Sequence, residues 1–212
     1  MTVSRERNLI FYEDLFNMSY SPDSFIPLLE EYLKCGFPID FAPDIKINSE
    51  AFYVIDNKLP STPLLYVAAS TQCDAKIVKA LLDNGADPNI LVGPWRQNAL
   101  LYAACNRDHD DIKTKVDVIE ILANKVAEVD LADKYGNTAL YYVAQDYHLT
   151  KNPEFRRSIV TLVRCGADLN NIGKGKNLEE DFRNQLMRLV VQATQTHEEL
   201  TSTSESGFVY EL

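Results

Sequence analysis

The sequence is poor in the residues that carry most metal and catalytic chemistry. It has three histidines, His109, His148 and His197, and none forms the H-E-x-x-H spacing of a zinc site. Its four cysteines lie far apart, without a C-x-x-C pair, so neither a zinc cluster nor a disulfide framework is predicted. We expect no metal, no cofactor, and reduced thiols in a cytosolic setting.

Positive charge and long apolar runs are also scarce. Lys and Arg number 21 against 31 Asp and Glu, a net charge of −10. A phosphate backbone needs a basic surface, so we expect no nucleic acid, and a protein partner whose surface is basic or neutral. No run approaches 18 apolar residues, and the first fifteen residues carry charges where a signal peptide has an apolar core. Neither a membrane span nor a secretory leader is predicted.

What the chain does contain is organised around Ser61–Ile90, which reads STPLLYVAASTQCDAKIVKALLDNGADPNI. Thr62 can cap a first short helix, and Pro63 suits its first position, where a missing N–H costs nothing. A second apolar helix follows. Gly85 then stands where a left-handed residue ends a helix. This pattern resembles the ankyrin repeat, a helix pair of about 33 residues.

The pattern recurs along the chain. The opening recurs at 98–104 and 138–144, and the turn after the second helix recurs as Val126–Asp130 and Gly166–Asn170, with an earlier degenerate copy at Leu28–Asp40. The histidine usual after the opening leucine is replaced in all three copies, by Leu65, Leu101 and Tyr141. This replacement weakens the hydrogen bonds that the histidine usually makes, but the helix pairs are still predicted.

The resemblance implies an all-α ankyrin-repeat solenoid, with helix-turn-helix repeats joined by β-hairpin-like fingers and closed by helical caps. We predict an N-terminal capping repeat at 1–40, an enlarged finger at 41–60, three repeats within 61–172, a C-terminal capping helix at 173–195 and a disordered tail at 196–212. The repeats span about 61–90, 97–131 and 137–171. Insertions are predicted at the turns between paired helices, at 107–113 and 148–154.

Some individual side chains are also predicted. A helix from Glu6 to Tyr20 should place Ile10 and Leu15 on one apolar face. Leu81 and Leu100 should be buried where neighbouring repeats meet. The capping helix should present Phe182, Leu186, Leu189, Val190 and Ala193 to the last repeat.

The resemblance also implies a function. Ankyrin arrays bind proteins in a concave groove lined by the fingers and the exposed positions of the first helices, so we predict a monomeric, non-enzymatic protein-binding module. The residues placed at this groove or flanking it are Phe52, Tyr53, Lys58, Leu59, Pro94, Trp95, Arg96, Gln97, Asn106, Lys134, Tyr135, Asn137, Gln145 and Asp146. Trp95 and Tyr135 are the expected anchors. Alternatively, Trp95 folds back on the enlarged finger.

Two other function classes stay open. Cys105 and His109 stand four apart, as a thiol–imidazole pair on one helix would, but Asn106 and the residues after it should end that helix, and no third group is evident. An enzyme is therefore the weaker alternative. The chain could instead be a target, since Asn89 and Asn170 occupy positions that host dioxygenases hydroxylate in ankyrin repeats.

The last residues carry a separate signal. Glu198 and Glu199, a Ser/Thr-rich tract and the apolar Phe208–Tyr210 resemble the C-terminal signal of effectors exported by Dot/Icm-like type IV systems of intracellular bacterial pathogens. The resemblance implies a translocated effector that binds a host cytosolic protein. The alternatives are an intracellular adaptor or inhibitor that is not secreted, and a plain acidic tail.

Overall fold

Seven α-helices follow one another in a computed structural model that describes residues 2–18, 21–41, 74–91, 96–106, 111–171, 180, 184–185 and 187–195. They are α1 (Thr2–Met18), α2 (Pro22–Lys34), α3 (Ala75–Asp83), α4 (Ala99–Cys105), α5 (Ile112–Ala123), α6 (Ala139–Thr150) and α7 (Phe155–Arg164). A 3₁₀ turn at Leu169–Asn171 comes next, and residues 187–195 are again helical. No β-strand occurs within these ranges, so the predicted all-α fold is confirmed.

The helices lie in two layers. The second helices of successive pairs pack one on the next, α2 on α3, α3 on α5, and α5 on α7. The first helices α4 and α6 pack on each other, and each also packs on its own second helix. Among the described helices, the main contacts thus run between successive helix pairs, which is the arrangement of a solenoid. The helix pair α1–α2 extends the stack at its N-terminal end.

Side chains just outside the helices satisfy backbone N–H groups of the first turns. An oxygen of each cap accepts a hydrogen bond from an N–H two or three residues ahead, which stabilises a helix start by about 1 kcal/mol. These caps are Asp74, Asn98, Asp111 and Thr138. Helix α2 begins instead with Pro22, whose fixed φ favours the first helical position. Local sequence therefore sets where most of these helices begin.

The second helices end in a common way, with one exception. Gly36, Gly85 and Gly166 adopt φ between +79° and +97°, and the apolar residue after each glycine is buried. Only glycine reaches this region at no steric cost. Helix α5 ends instead at Ala123, and its next residues donate to the Leu122 carbonyl without a left-handed glycine. Lys125 therefore occupies the position that glycine has in the other pairs. The sequence comparison placed Val126 there, which is one residue too late.

Hydrogen bonds join each of these turns to the next. In three consecutive pairs, a carboxylate or amide oxygen five or six residues after the C-cap accepts the backbone N–H of a residue in the following turn. The pairs are Asp40 with Asp87, Asn89 with Ala127, and Asp130 with Asp168, at 3.1, 2.7 and 2.8 Å. We call this set the turn ladder. It fixes the register of one helix pair against the next.

The core runs continuously through the stack. Leu81 and Leu100 are at most 1% exposed, as predicted, and alanines at the helix contacts let backbones approach closely. At the C-terminal end, Val190 and Ala193 are buried in the same cluster. Phe182 and Leu186 lie outside the described residues. One prediction for helix α1 is wrong, because Ile10 was expected on the apolar face but is 56% exposed.

The reason for that correction lies in how α1 docks. Leu15 is buried as predicted, but the second inward side chain is Tyr12. Phe11 stacks on Tyr32 of α2, with ring centroids 3.9 Å apart. These aromatic contacts rotate the helix so that Ile10 points to solvent.

The turn between α6 and α7 is shorter than expected. Helix α6 continues through Thr150, so residues 148–150 are helical rather than part of an insertion. Lys151 then adopts a left-handed φ of 56°, and Asn152 accepts the Glu154 N–H to form a compact turn. In the preceding pair, α5 begins at Ile112, inside the other predicted insertion, while residues 107–110 lie outside the described part.

Candidate protein-binding face

The finger before α6 is a tight turn built on one aspartate. The Asp133 N–H donates to the Asn137 carbonyl at 3.0 Å, and the Gly136 N–H donates back to the Asp133 carbonyl at 2.9 Å. Oδ1 of Asp133 accepts two further N–H groups, those of Tyr135 at 2.8 Å and Asn137 at 3.0 Å. Gly136 has φ of 81°, which the turn requires. Three consecutive tip residues are thereby held in one conformation.

The same aspartate ties the finger to helix α6. The Tyr142 hydroxyl donates to Oδ2 of Asp133 at 2.5 Å, and the Asn137 side-chain amide donates to the Tyr142 oxygen at 3.5 Å. Burial, and then the hydrogen bond to Asp133, raise the pKa of the Tyr142 phenol well above its usual value. The proton therefore stays on the phenol, and the finger is fixed on the first-helix layer.

A tyrosine recurs at one position of every repeat. Tyr102 of α4 and Tyr142 of α6 both stand two residues after the opening leucine, and Tyr66 holds the same place in the first copy, outside the described residues. Both described rings are half-buried. Burial, with a smaller effect of Cys105, raises the pKa of Tyr102. These residues were not predicted as part of the face, although their recurrence at one repeat position is visible in the sequence.

Gln97 is buried beside the half-buried Cys105. Gln97 is 3% exposed, and its amide donates to Sγ of Cys105 at 3.4 Å. The thiol itself points to the Tyr102 carbonyl. Burial raises the pKa of Cys105, which disfavours the thiolate. Gln97 was expected to line the groove, but it is buried and supports the face from inside. His109, the other half of the thiol–imidazole alternative, lies outside the described residues.

A buried ion pair joins the two repeats under the face. Nζ of Lys115, on α5, lies 2.7 Å from Oδ2 of Asp146, on α6, and also donates to the Asn106 carbonyl. The ring of Phe155 completes the surroundings, with its centroid 5.8 Å from the ammonium. Asp146 was expected to line the groove, but it is 8% exposed and faces Lys115. Its side chain positions helices instead.

The remaining predicted residues differ in exposure. Tyr135 is 55% exposed at the finger tip, where the Lys134 ammonium lies 5.0 Å from its ring centroid. Arg96 is exposed, with φ of 50°, while Asn106, Asn137 and Gln145 are half-buried. The predicted residues outside the described part are Phe52, Tyr53, Lys58, Leu59, Pro94 and Trp95.

We call the surface formed by Arg96, Tyr102, Lys134, Tyr135, Tyr142 and Gln145 the tyrosine face. Its residues come from the two first helices, α4 and α6, and from the turns that precede them. It carries three aromatic rings, one amide and two cations, and the buried polar contacts of Asp133 and Lys115 hold the elements that present them. Aromatic residues and arginine are the side chains that most often dominate the energy of protein interfaces.

Within the described residues, no group of three or more His, Cys, Asp and Glu side chains is arranged to hold a metal ion. None of the described helices is both long and apolar enough to cross a membrane.

The fold and the face together define a class, that of helical repeat proteins whose successive helix pairs build one extended surface. A family model for ankyrin repeats, in three copies, matches residues 64–172, just over half of the chain. The chain therefore belongs to the ankyrin repeat family, a group of non-enzymatic scaffolds for protein–protein interaction. A comparison with curated proteins found no match.

Proposed function

We propose that the chain binds a partner protein through the tyrosine face and the adjoining fingers. The observation that carries the proposal is the fixed finger of residues 133–137. Because Asp133 and Tyr142 already hold it, little conformational entropy is lost when Tyr135 and Lys134 contact a partner. The first helices and fingers line the groove side of an ankyrin array, so these side chains stand where the family binds proteins.

The decisive experiment compares the two faces of the stack. A displayed library of protein segments would be selected on the full chain, and the affinity of the selected ligand measured for single variants. Trp95→Ala and Tyr135→Ala should each weaken binding by about 2 kcal/mol, a factor of about 30. Lys79→Ala, on the exposed side of α3, should change it by only a few tenths of a kcal/mol.

A reversed pattern would refute the proposal. If Lys79→Ala abolished binding while both aromatic variants retained it, the ligand would sit on the second-helix layer. Circular dichroism of each variant separates a lost contact from a lost fold. Trp95 is included in this test because of its predicted position in the repeat, since it lies outside the described residues.

We further propose that the protein acts as a bacterial effector in the host cytosol, as a monomer. Support comes from the sequence of residues 198–210, which combines glutamates, small polar residues and an apolar cluster. Deletion of residues 196–212 should abolish translocation of a reporter fusion from a bacterium with an intact type IV system. Unchanged translocation would favour the alternative, an adaptor or inhibitor that is not secreted.

A further inference from the structure

We infer that Arg96 determines which partners the tyrosine face accepts, by binding a carboxylate of the partner through its guanidinium. The inference rests on the proposed function, since it specifies one contact of the same face. Two independent observations carry it. They are the backbone conformation of Arg96 and the lack of contacts from its side chain to the described residues.

Arg96 occupies a position that is glycine in the finger before α6. Asn98 caps α4 and Thr138 caps α6, each by accepting the N–H three residues ahead. Arg96 and Gly136 both stand two residues before these caps, and both are left-handed, with φ of 50° and 81°. The two turns therefore share one backbone geometry at this position, although only one of them has a side chain there.

This conformation is unfavourable for a residue with a side chain. In the left-handed region the Cβ atom comes too close to a carbonyl oxygen, a contact that glycine does not make. The penalty lowers the ratio of folded to unfolded protein about five- to thirtyfold. Strain of this kind is typical of functional positions, where the side chain has a use that the fold does not need.

The side chain of Arg96 contributes no contact of its own to the described fold. It is exposed, and within the described residues its guanidinium makes no ion pair, hydrogen bond or cation–π contact. Other cations of the region are engaged, since the Lys134 ammonium lies over the ring of Tyr135 and Lys115 pairs with Asp146. The N–H donors of this arginine thus remain for a partner.

The acidic residues around the face do not neutralise Arg96. All but one of the described carboxylates between residues 87 and 146 accept hydrogen bonds from, or pair with, other groups, and these are Asp87, Asp111, Asp117, Glu120, Asp130, Asp133 and Asp146. The exception, Glu128, is exposed and forms no ion pair with a described residue. Asp108 and Asp110 lie outside the described residues.

A carboxylate is the group that best fits a guanidinium. Its two oxygens accept two parallel N–H groups in a planar pair, and such charged hydrogen bonds are about twice as strong as neutral ones. The next two residues, Gln97 and Asn98, are each 3% exposed, so the arginine projects from a buried base. One carboxylate contact is compatible with a partner surface that is otherwise basic or neutral, and a partner without it would bind less tightly.

Three substitutions at Arg96 separate the guanidinium from the backbone strain. Arg96→Ala removes the guanidinium and keeps the strain, Arg96→Gly removes both, and Arg96→Lys keeps the charge without the planar fork. The ligand selected from the displayed library should bind the Ala and Gly variants at least tenfold more weakly than the wild type, and the Lys variant with an intermediate affinity. Urea unfolding should show Arg96→Gly to be more stable than Arg96→Ala.

A matched control removes another exposed arginine. Arg164→Ala, at the end of α7, should change the affinity less than twofold. Equal affinities of Arg96→Ala and Arg164→Ala would overturn the inference, and so would a glycine variant that binds as tightly as the wild type. A glycine variant no more stable than the alanine variant would overturn it too, because the arginine would then need no functional reason.

Variants of the selected ligand identify its carboxylate. Each Asp or Glu of the ligand is replaced by Asn or Gln, and binding is measured to the wild type and to Arg96→Ala. One replacement should weaken binding to the wild type at least tenfold, but binding to Arg96→Ala less than twofold. A ligand in which no carboxylate shows this coupling would contradict the inference.

Failure of this inference can be told from failure of the proposed function. If the selected ligand depends on Tyr135 but binds Arg96→Ala as tightly as the wild type, the face binds proteins and only the role of Arg96 is wrong. If the ligand is also insensitive to Tyr135→Ala and Trp95→Ala, both proposals fail.

Discussion

Asp133 shows how one buried side chain can control an exposed one. It contributes little surface of its own, yet its carboxylate fixes the backbone at Tyr135 and binds the hydroxyl of Tyr142. The exposed ring of Tyr135 therefore owes its placement to a residue that is itself buried. Variants of Asp133 would change binding indirectly, so Tyr135 is the better choice for probing contacts.

Removing the Tyr142 hydroxyl should be costly. In Tyr142→Phe, Oδ2 of a buried carboxylate loses its donor, and an unpaired buried acceptor costs about 1–3 kcal/mol. Urea unfolding should show a loss of that size. Tyr135→Phe is the matched control, because that ring is exposed and its hydroxyl is not needed for the turn. Equal stability of the two variants would mean that Asp133 holds the finger without the phenol.

Buried phenols predict a response to alkali. Burial raises the pKa of Tyr12, and that of Tyr142 is raised by burial and by Asp133. The folded state thus keeps protons that the unfolded state loses above its ordinary pKa of about 10. Stability should be constant below pH 10 and fall as the pH rises further.

Absorbance at 295 nm during titration would measure this effect. A fraction of the eleven tyrosines should ionise only as the protein unfolds. Tyr12→Phe should reduce the steepness of the fall in stability above pH 10. A fully reversible titration of all phenols near pH 10, with the fold intact, would contradict the burial of Tyr12.

At the scale of elements, the Lys115–Asp146 pair joins α5 of one repeat to α6 of the next. Both groups are almost completely removed from water, with side-chain exposures of 3% and 12%. Such a pair adds little net stability compared with apolar residues, but loss of one partner leaves an uncompensated charge. Its main effect is therefore to specify how the two helices meet.

Single and double substitutions should behave oppositely. Lys115→Met should destabilise the fold by about 3–5 kcal/mol, because it leaves the buried Asp146 carboxylate without its cation. The double variant Lys115→Met/Asp146→Leu should recover most of that loss. Chemical denaturation of the wild type, both single variants and the double variant gives the coupling energy. Additive losses would show that the pair is not coupled.

The elements also show what sequence can predict. Helices α3, α5 and α7 follow from apolar periodicity and local caps such as Asp74 and Asp111, which depend on nearby residues only. The extent of α6 was not predictable in this way, because its polar end resembles a loop. That last turn is supported from another helix, where Nε of Arg156 donates to the Tyr147 hydroxyl at 2.8 Å.

Some residues of the candidate face could likewise be predicted from the sequence, and others could not. Tyr135 and Lys134 were predicted because a finger tip is exposed by its place in the repeat. The burial of Gln97 and Asp146 was not, since their partners Cys105 and Lys115 are 8 and 31 residues away. Spacing within a repeat indicates which residues point toward the groove, but only three-dimensional contacts decide which of them remain accessible.

At the scale of the whole molecule, stability depends on contacts between neighbouring repeats. Leu100→Ala, at a contact between them, should cost about 2–5 kcal/mol. In so short an array the loss should unfold both neighbours together. Hydrogen exchange would follow this, as amides of α3 and α7 should lose protection along with those of α4. A change confined to α4, or a cost below about 0.5 kcal/mol, would contradict the continuous core.

The turn ladder bears on how such an array can change over evolution. In each hydrogen bond of the turn ladder, the acceptor is an Asp or Asn side chain, but the donor is a main-chain amide. Asp87, Ala127 and Asp168 all serve equally as donors, because every residue except proline supplies that group. A repeat gained or lost by unequal recombination would thus find its hydrogen bond already in place, provided the preceding repeat keeps its acceptor. At each junction the acceptor position must therefore keep Asp or Asn, whereas the donor position can be any residue except proline.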